Sequence, residues 1–544
     1  MRILVQEMPG RPDKAPHHEV WMLVPNTWND YSYRTLYNLY HVSGDELTEI
    51  GGVKIMKLGQ QEFELPLSEG ELEDGLPSHC ASLGGGLDFY VSLRKHVGEQ
   101  ATRTILQNLR DLATDPTLRP SFEPETAFKK SLIRYRKDHL SFYDDVSGIL
   151  LSGGLPPEPK TWSLSYSAGE GIEPIDFHFG RVPNPKVLPF KPGVRPSPFS
   201  QTAQAPTTQP SRRTVVLVGA NGVGKTSLLA KLARLAYTGV TERDPKSEDG
   251  RFVGEPAFPS IVAVAYSAFD TFKPPEIEGD DRAEVANQLA SGSGRYAYCG
   301  MRDLASLVRN PDGPEQLLTS EQQANIFVDR LQRIRDLGRL PIFAEAMSPV
   351  LDEISVRRGV APPREIDAEG RVDRVNAFLS EDPRQAYLNL SSGHKIVLHI
   401  IVSMTASLKM RGLALVDEPE THLHPPLLAA LMTGLRIVLE KLESFAIVAT
   451  HSPVVAQETL ASQIIVMEGH GITRSPTIQT FGENVGALTR EIFGLHTEAT
   501  DYRRVLKEMA EQLGSLESVE GAIGEGLSGQ AEAYLMFVLP EGEQ

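Results

Sequence analysis

The sequence predicts an α/β fold, a mixed or parallel sheet flanked by helices, and three observations carry that reading. Thr214–Val218, Leu413–Val416 and Phe445–Thr450 are short, continuous apolar runs, the first rich in β-branched residues, the pattern of strands buried on both faces. Each run ends directly in residues suited to phosphate chemistry: Gly219 to Thr226, Asp417-Glu418, and His451-Ser452. After the first, Leu228, Leu229, Leu232 and Leu235 fall at helical spacing, so strand, glycine loop and helix follow one another.

Bulk properties narrow the class. A chain of 544 residues has room for several domains, and 40% hydrophobic with 23% charged residues describes an ordinary globular protein. The longest apolar run, Ile396–Leu408, is interrupted by His399 and flanked by Lys395 and Lys409. It is shorter than the ~18 residues of a membrane span, so a buried helix is expected. The first residues show no apolar stretch after their charges, which argues against secretion. Cys80 and Cys299, the two cysteines, lack metal-ligand spacing. The expectation is a cytoplasmic chain without membrane association. A net charge of −17 works against a broad nucleic-acid surface. The local run Lys129, Lys130, Arg134, Arg136 and Lys137 keeps nucleic acid open as a partner, beside the plainer reading of a solvated helix face.

Residues 18–57 alternate apolar and polar types around Trp21, Trp28, Tyr31, Tyr33, Tyr37 and Tyr40 and read as strands and turns, the aromatics as core. From Gly86 to Ala113 the spacing of Tyr90, Leu93, Val97, Ile105, Leu106, Leu109 and Leu112 becomes helical, and a second helical stretch follows near Ala127–Tyr143. Residues 1–160 are thus an N-terminal β-rich and helical elaboration. A first nucleotide lobe covers 161–273, beginning with a hairpin near Trp162–Phe179 that turns at Gly169-Glu170-Gly171. Within it, 183–213 is rich in Pro, Ser, Thr and Gln and reads as a flexible insertion. A charged helical insertion spans 274–383, with Ser320 as N-cap of a helix over Glu321–Leu337. A second nucleotide lobe over 384–480 and a helical tail over 481–544 complete the chain. No internal repeat and no sustained heptads occur, so no coiled-coil arm is expected.

The loop Gly219-Ala220-Asn221-Gly222-Val223-Gly224-Lys225-Thr226 has the P-loop pattern, and Gly219, Asn221, Gly222, Val223, Gly224, Lys225, Thr226 and Ser227 are the candidate ATP contacts. Glycines let backbone N–H groups wrap phosphates at a helix N-terminus. Lys225 would reach the β- and γ-phosphates, and Thr226 would hold Mg²⁺. Asp417 is the second candidate Mg²⁺ ligand, through water, and Glu418 would polarise the attacking water. Leu390-Ser391-Ser392-Gly393-His394 precedes a helix carrying Ile396, Val397, Ile400, Ile401 and Met404. A small hydroxylated turn at a helix start is a second anion site or a plain N-cap. Because the chain already has its own P-loop, Ser391 and Gly393 read as contacts to the γ-phosphate held by a second copy. His451, at the end of a parallel-type strand where ligands collect, reads as a γ-phosphate sensor.

With these motifs in this order, the sequence resembles the ABC-type P-loop ATPases, the superfamily of the structural-maintenance, recombination-mediator and overcoming-lysogenization-defect ATPases. Asp417-Glu418-Pro419-Glu420-Thr421-His422-Leu423-His424-Pro425 looks like the soluble bacterial subgroup rather than transporters. Tyr266–Phe272 and Tyr296–Arg302 are similar to ATPases of anti-phage systems of the Septu and retron type. The resemblance covers about residues 160–500. It implies ATP and Mg²⁺ as cofactors, ATP hydrolysis, and a head-to-tail homodimer or a higher assembly built from it. It also implies a sensor or regulatory role beside a separate effector such as an HNH-type nuclease. Two departures stand out. The Ser267–Phe272 region offers no Q-loop glutamine, leaving Asp270 as a substitute or as a structural turn residue. The stretch after His451 lacks the clustered carboxylates of a Toprim domain, so no nuclease is expected within the chain. A DNA-clamping repair ATPase and a non-hydrolysing scaffold glued by ATP are the alternative readings.

Overall fold

The structure, a computed structural model, describes residues 2–6, 19–26, 33–44, 46–134, 139–153, 161–169, 171–180, 212–238, 247–254, 256–267, 270–274, 282–292, 294–357, 367–379, 382–469, 471–493 and 502–539. The chain divides into two compact units, Met1–Gly482 and Glu483–Gln544.

The first unit opens with strands β1 (Ile3–Val5), β2 (Val20–Pro25), β3 (Leu36–Ser43), β4 (Glu46–Lys57), β5 (Gly70–Leu72) and β6 (Cys80–Gly84). They form one sheet in the order β5-β1-β2-β3-β4-β6. Helices α1 (Leu87–Asn108), α2 (Arg119–Phe122) and α3 (His139–Ser152) follow, with a single π turn at Phe128–Leu132. Period-2 alternation sends Leu39, Val53 and Ile55 inward, where they meet Phe89, Tyr90 and Leu93 of α1 in one core. Trp21, Tyr33, Tyr37 and Tyr40 are buried as the sequence implied, while Trp28 and Tyr31 lie outside the described residues. The helical stretch expected near Ala127–Tyr143 holds the π turn and the first residues of α3, with 135–138 outside the described residues. Lys130 sits 3.9 Å from Glu62, as on an ordinary solvated face.

Next come the hairpin β7 (Thr161–Ser167) and β8 (Ile175–Gly180), then β9 (Thr214–Val218), α4 (Lys225–Tyr237), β10 (Arg251–Val253) and β11 (Ile261–Ala265). The expected insertion at 183–213 falls almost wholly outside the described residues. The chain continues through α5 (Arg282–Ser291), β12 (Tyr296–Gly300), α6 (Leu304–Arg309), α7 (Ser320–Asp336), α8 (Leu340–Arg357), α9 (Ala368–Leu379), α10 (Pro383–Leu388) and α11 (Ser392–Ser407). It ends the unit with β13 (Leu413–Asp417), α12 (Pro425–Lys441), β14 (Phe445–Thr450), α13 (Pro453–Gln457), β15 (Ile464–Gly469) and β16 (Ile472–Arg474). Strands β10, β7 and β8 make a small antiparallel sheet, and seven strands make the main one, ordered β12-β11-β13-β14-β9-β15-β16. All neighbours in the main sheet run parallel except β15 and β16. Strands β12, β11, β13, β14 and β9 are buried on both faces, which is why they read as continuous apolar runs.

Two expectations need correction. The span 274–383 is not wholly helical, because Tyr296–Gly300 is strand β12, paired in parallel with β11. Five residues between charged helices give too little periodicity to register, although Tyr296 and Tyr298 favour a strand. The cap of α7 is Thr319 rather than Ser320: Gln322 N donates to Thr319 Oγ1 at 3.2 Å, and Thr319 N donates to Gln322 Oε1 at 2.8 Å, a reciprocal capping box. Helix α11 carries the apolar run, and even His399 is 1% exposed there. Among the described residues no helix is long and apolar enough to cross a membrane. Both cysteines are buried and free.

The second unit consists of α14 (Val485–Phe493), α15 (Tyr502–Leu513), α16 (Leu516–Ile523) and α17 (Gly529–Val538). The last three share a core of Leu506, Ala510, Val519, Ala531, Leu535 and Leu539.

Helices α8 and α12 approach so closely that a Cβ on Gly434 would lie 2.7 Å from the Ala346 carbonyl and 2.9 Å from Ile401 Cδ1. Gly434→Val is expected to destabilise the first unit by about 1–3 kcal/mol through overpacking. A urea midpoint equal to that of the wild type would contradict this packing.

Candidate active site

Parallel register brings the reactive residues to one edge. Ala265 pairs with Asp417, Asp417 with Ala449, and Thr450 with Val218. Strands β11, β13, β14 and β9 therefore end level, and the residues that follow them, Glu418, His451 and Gly219, stand side by side where open α/β sheets bind ligands.

The loop after β9 is shaped by two glycines in particular. A Cβ on Gly219 would lie 2.5 Å from the Met467 carbonyl, so only glycine lets the loop leave the sheet against β15. Gly224 takes φ 95° as the N-cap of α4 and supplies no side-chain acceptor. The first-turn N–H groups of α4 thus have no capping side chain and suit phosphate oxygens. Ala220, Asn221 and Gly222 are exposed, Val223 and Gly224 half-buried, and Ser227 exposed on the first turn. Lys225 is 5% exposed, and its ammonium donates to the carbonyls of Gly219 at 2.8 Å and Ala220 at 3.1 Å. Burial lowers its pKa, opposed by Glu418, Asp417 and Glu420.

Thr226 Oγ1 donates to Asp417 Oδ1 at 3.1 Å. Asp417 is 3% exposed, and burial pushes its carboxyl up to about 7. A desolvated carboxylate beside a hydroxyl has the hard oxygen donors that Mg²⁺ takes. These two residues would hold the ion, which when bound neutralises phosphate charge. Glu418 adopts φ 44°, a conformation that costs a non-glycine residue roughly 1–3 kcal/mol. Its N–H donates to the Ala449 carbonyl at 2.8 Å, and its carboxylate stands 3.4 Å from His451 Nδ1. The carboxylate is partly open to solvent, where a water could be held against a ligand.

Sequence patterning missed Glu420. Its Oε1 accepts from Thr450 Oγ1 and His451 N, both at 2.7 Å, and lies 3.1 Å from His451 Nδ1. It ties the histidine to the loop that carries Glu418. The signal available was a further carboxylate in Asp417-Glu418-Pro419-Glu420.

Ser391 and Gly393 are placed differently. Ser391 caps α11, its Oγ 2.6 Å from His394 Nδ1, and His394 Nε2 meets Glu353 Oε2 at 3.0 Å. Glu353 Oε1 lies 3.5 Å from Nε2 of His424, the cap of α12. A Cβ on Gly393 would lie 3.2 Å from Leu427 Cδ2 and 3.3 Å from the His422 carbonyl. No hydrogen bond or ion pair links Ser391 or Gly393 to the P-loop among the described residues. Asp270 takes the structural role: Oδ1 accepts from Arg302 at 2.8 Å and Phe272 N at 3.1 Å, and Oδ2 accepts from Tyr298 at 2.7 Å.

The family described as "AAA domain, putative AbiEii toxin, Type IV TA system" matches residues 323–456. Protein ea59 of Escherichia phage lambda is 31% identical over 517 residues, covering 90% of this chain and 89% of that protein. A solved structure of the SmcHead bound to the C-winged helix domain of ScpA aligns with 58% of this chain and 97% of its own at 15% identity. Its TM-score of 0.21 is too low to carry weight. On identity and coverage the chain belongs to the family of Protein ea59, and it carries an ATP-binding P-loop ATPase domain.

A carboxyl raised to about 7 holds its proton in the folded state after the unfolded chain has lost it. Nucleotide-free stability is therefore expected to fall as pH rises from about 4 to about 7 and to level off above. Asp417→Asn should flatten that decline and abolish the Mg²⁺-dependent part of stabilisation by ATP. Thermal melts at several pH values, with and without Mg-ATP, check both. A variant that keeps the wild-type pH slope would clear Asp417 of this role.

Proposed function

We propose that this member of the Protein ea59 family is an ATP-hydrolysing, ABC-like switch that works as a head-to-tail homodimer. In this reading Lys225 binds phosphate, Thr226 and Asp417 hold Mg²⁺, and His451 reports on the γ-phosphate. Glu418 orients the attacking water, and Ser391 and Gly393 of one copy complete the site of the other. The observation that carries it is the arrangement at the sheet edge. Lys225, the Thr226–Asp417 pair and the Glu418–His451 pair share that edge. The Ser391 turn instead hydrogen-bonds through His394 to Glu353 of α8. Positioning and electrostatic stabilisation would supply most of the acceleration, as in other phosphoryl transfers.

The role we favour is that of sensor or regulatory subunit in an anti-phage defence complex of Septu or retron type, with an effector such as an HNH-type nuclease on a separate chain. Two things support it: the curated relative is a phage protein, and the matched family is described by a toxin–antitoxin system.

Glu418→Gln tests the chemistry. It should cut turnover by roughly 10²-fold or more while leaving Mg-ATP binding intact, and it should accumulate an ATP-bound dimer by light scattering. Unchanged turnover would move the chain to the non-hydrolysing scaffold. The trapped protein, purified from its host, should carry an effector protein. Duplex DNA in its place, with salt-sensitive stimulation of hydrolysis, would make it a DNA-clamping ATPase.

A further inference from the structure

A cavity of about 290 Å³ lies inside the first unit, between the N-terminal sheet and the nucleotide lobe. Leu132 and Phe142 line it from one side and Met410 from the other, giving it apolar walls. Four cations also face it, Lys54, Arg295, Lys409 and Arg411, against one carboxylate, Asp145. Two of the cations are tied to the main chain. Lys54 Nζ donates to the Ser131 carbonyl at 2.6 Å, and the Arg295 guanidinium donates to the carbonyls of Phe258, Tyr237 and Ala236 at 2.9, 2.5 and 2.8 Å. Arg411 Nε stands 3.9 Å from Glu443.

Lys409 is the telling member. Its main chain is fixed, with N donating to Ser260 Oγ at 2.8 Å and its carbonyl accepting from Ser444 Oγ at 3.0 Å. Its ammonium has no hydrogen-bond or ion-pair partner among the described residues. Glu49, one nearby carboxylate, is engaged by Arg333 at 3.4 Å. Burial lowers the Lys409 pKa, with Asp88 opposing most. Lys409 is half-buried, and an unpaired cation partly withdrawn from water, beside three other cations lining the same cavity, favours an anion there.

We propose that this cavity binds a small amphiphilic anion, an apolar or aromatic body carrying a phosphate or carboxylate head, with Lys409 as the contact to the head group. Its size is at the lower end of small-molecule sites. Its position suggests a purpose, which rests on the ATPase reading above. Lys409, Met410 and Arg411 form the turn joining α11 to β13. The far end of α11 carries Ser391, and the far end of β13 carries Asp417. An occupant therefore touches the common root of the turn offered to a partner and the strand that holds the metal carboxylate.

Pyridoxal 5′-phosphate followed by borohydride is a direct probe on the full chain, with peptide mapping by mass spectrometry. The neutral Lys409 amine adds to the aldehyde, water leaves, and hydride reduces the imine to a stable secondary amine. Labelling of Lys409 should saturate with probe concentration and exceed that by phosphate-free pyridoxal by about tenfold. Mg-ATP should protect Lys225 and leave Lys409 reactive. Equal labelling by the two aldehydes, or labelling of Lys409 no faster than that of exposed lysines, would overturn the anion site. Labelling of Lys225 unaffected by Mg-ATP would instead overturn the nucleotide reading, leaving the cavity result standing. Lys409→Met, close in size, should remove the cavity label while the circular dichroism stays native.

Discussion

Two opposite charges buried at one edge of a parallel sheet set the terms for this molecule. Lys225 is 5% exposed and Asp417 3% exposed, and burial drives each toward its neutral form. Neither has a full counter-charge in contact. The ammonium rests on two P-loop carbonyls and the carboxylate on one hydroxyl. Desolvated charges held this way are costly, and a metal-bound phosphate offers each the partner it lacks. The surrounding backbone serves the same arrangement. Gly219 lets the loop pass the Met467 carbonyl, and the left-handed backbone at Glu418 turns that carboxylate toward His451.

That edge was legible in the sequence because each functional residue follows an apolar run, directly or through the glycine loop. A buried parallel strand leaves a continuous hydrophobic signature, and its last residue is fixed at the ligand edge by register alone. Lys225, Thr226, Asp417, Glu418 and His451 could therefore be placed together from one dimension. The supports could not. Glu353 lies on α8, far in sequence from His394 and His424, and nothing local marks it as their bridge. Strand β12 was too short for its period to outweigh its helical surroundings. The sequence leaves the role of Asp270 open because it depends on Arg302 and Tyr298 reaching it from the segment around β12.

Asp270 anchors a buried network instead of facing the nucleotide edge. Its carboxylate and Arg302 form a buried pair, the side chains 0% and 6% exposed, with further hydrogen bonds satisfying the carboxylate. The network continues to α11: Arg330 donates to the Tyr298 carbonyl at 2.8 Å and to Ser403, and Tyr266 Oη stands 2.7 Å from His399 Nδ1. Burial, reinforced by Arg330, keeps the His399 imidazole neutral, so it pairs with a phenol without adding charge to the core.

Helix α11 is thus clamped twice, at its middle through His399 and at its start through His394 and Glu353. The Ser391 turn cannot shift by itself without breaking one clamp. Its tie extends to α8 and α12, because Glu353 belongs to α8 and also meets His424, the cap of α12. The loop after Glu418 leads directly into that cap and packs its His422 carbonyl against Gly393. Any rearrangement of the carboxylate loop therefore reaches the outward-facing turn through direct packing within a few residues, which requires no longer path through the protein.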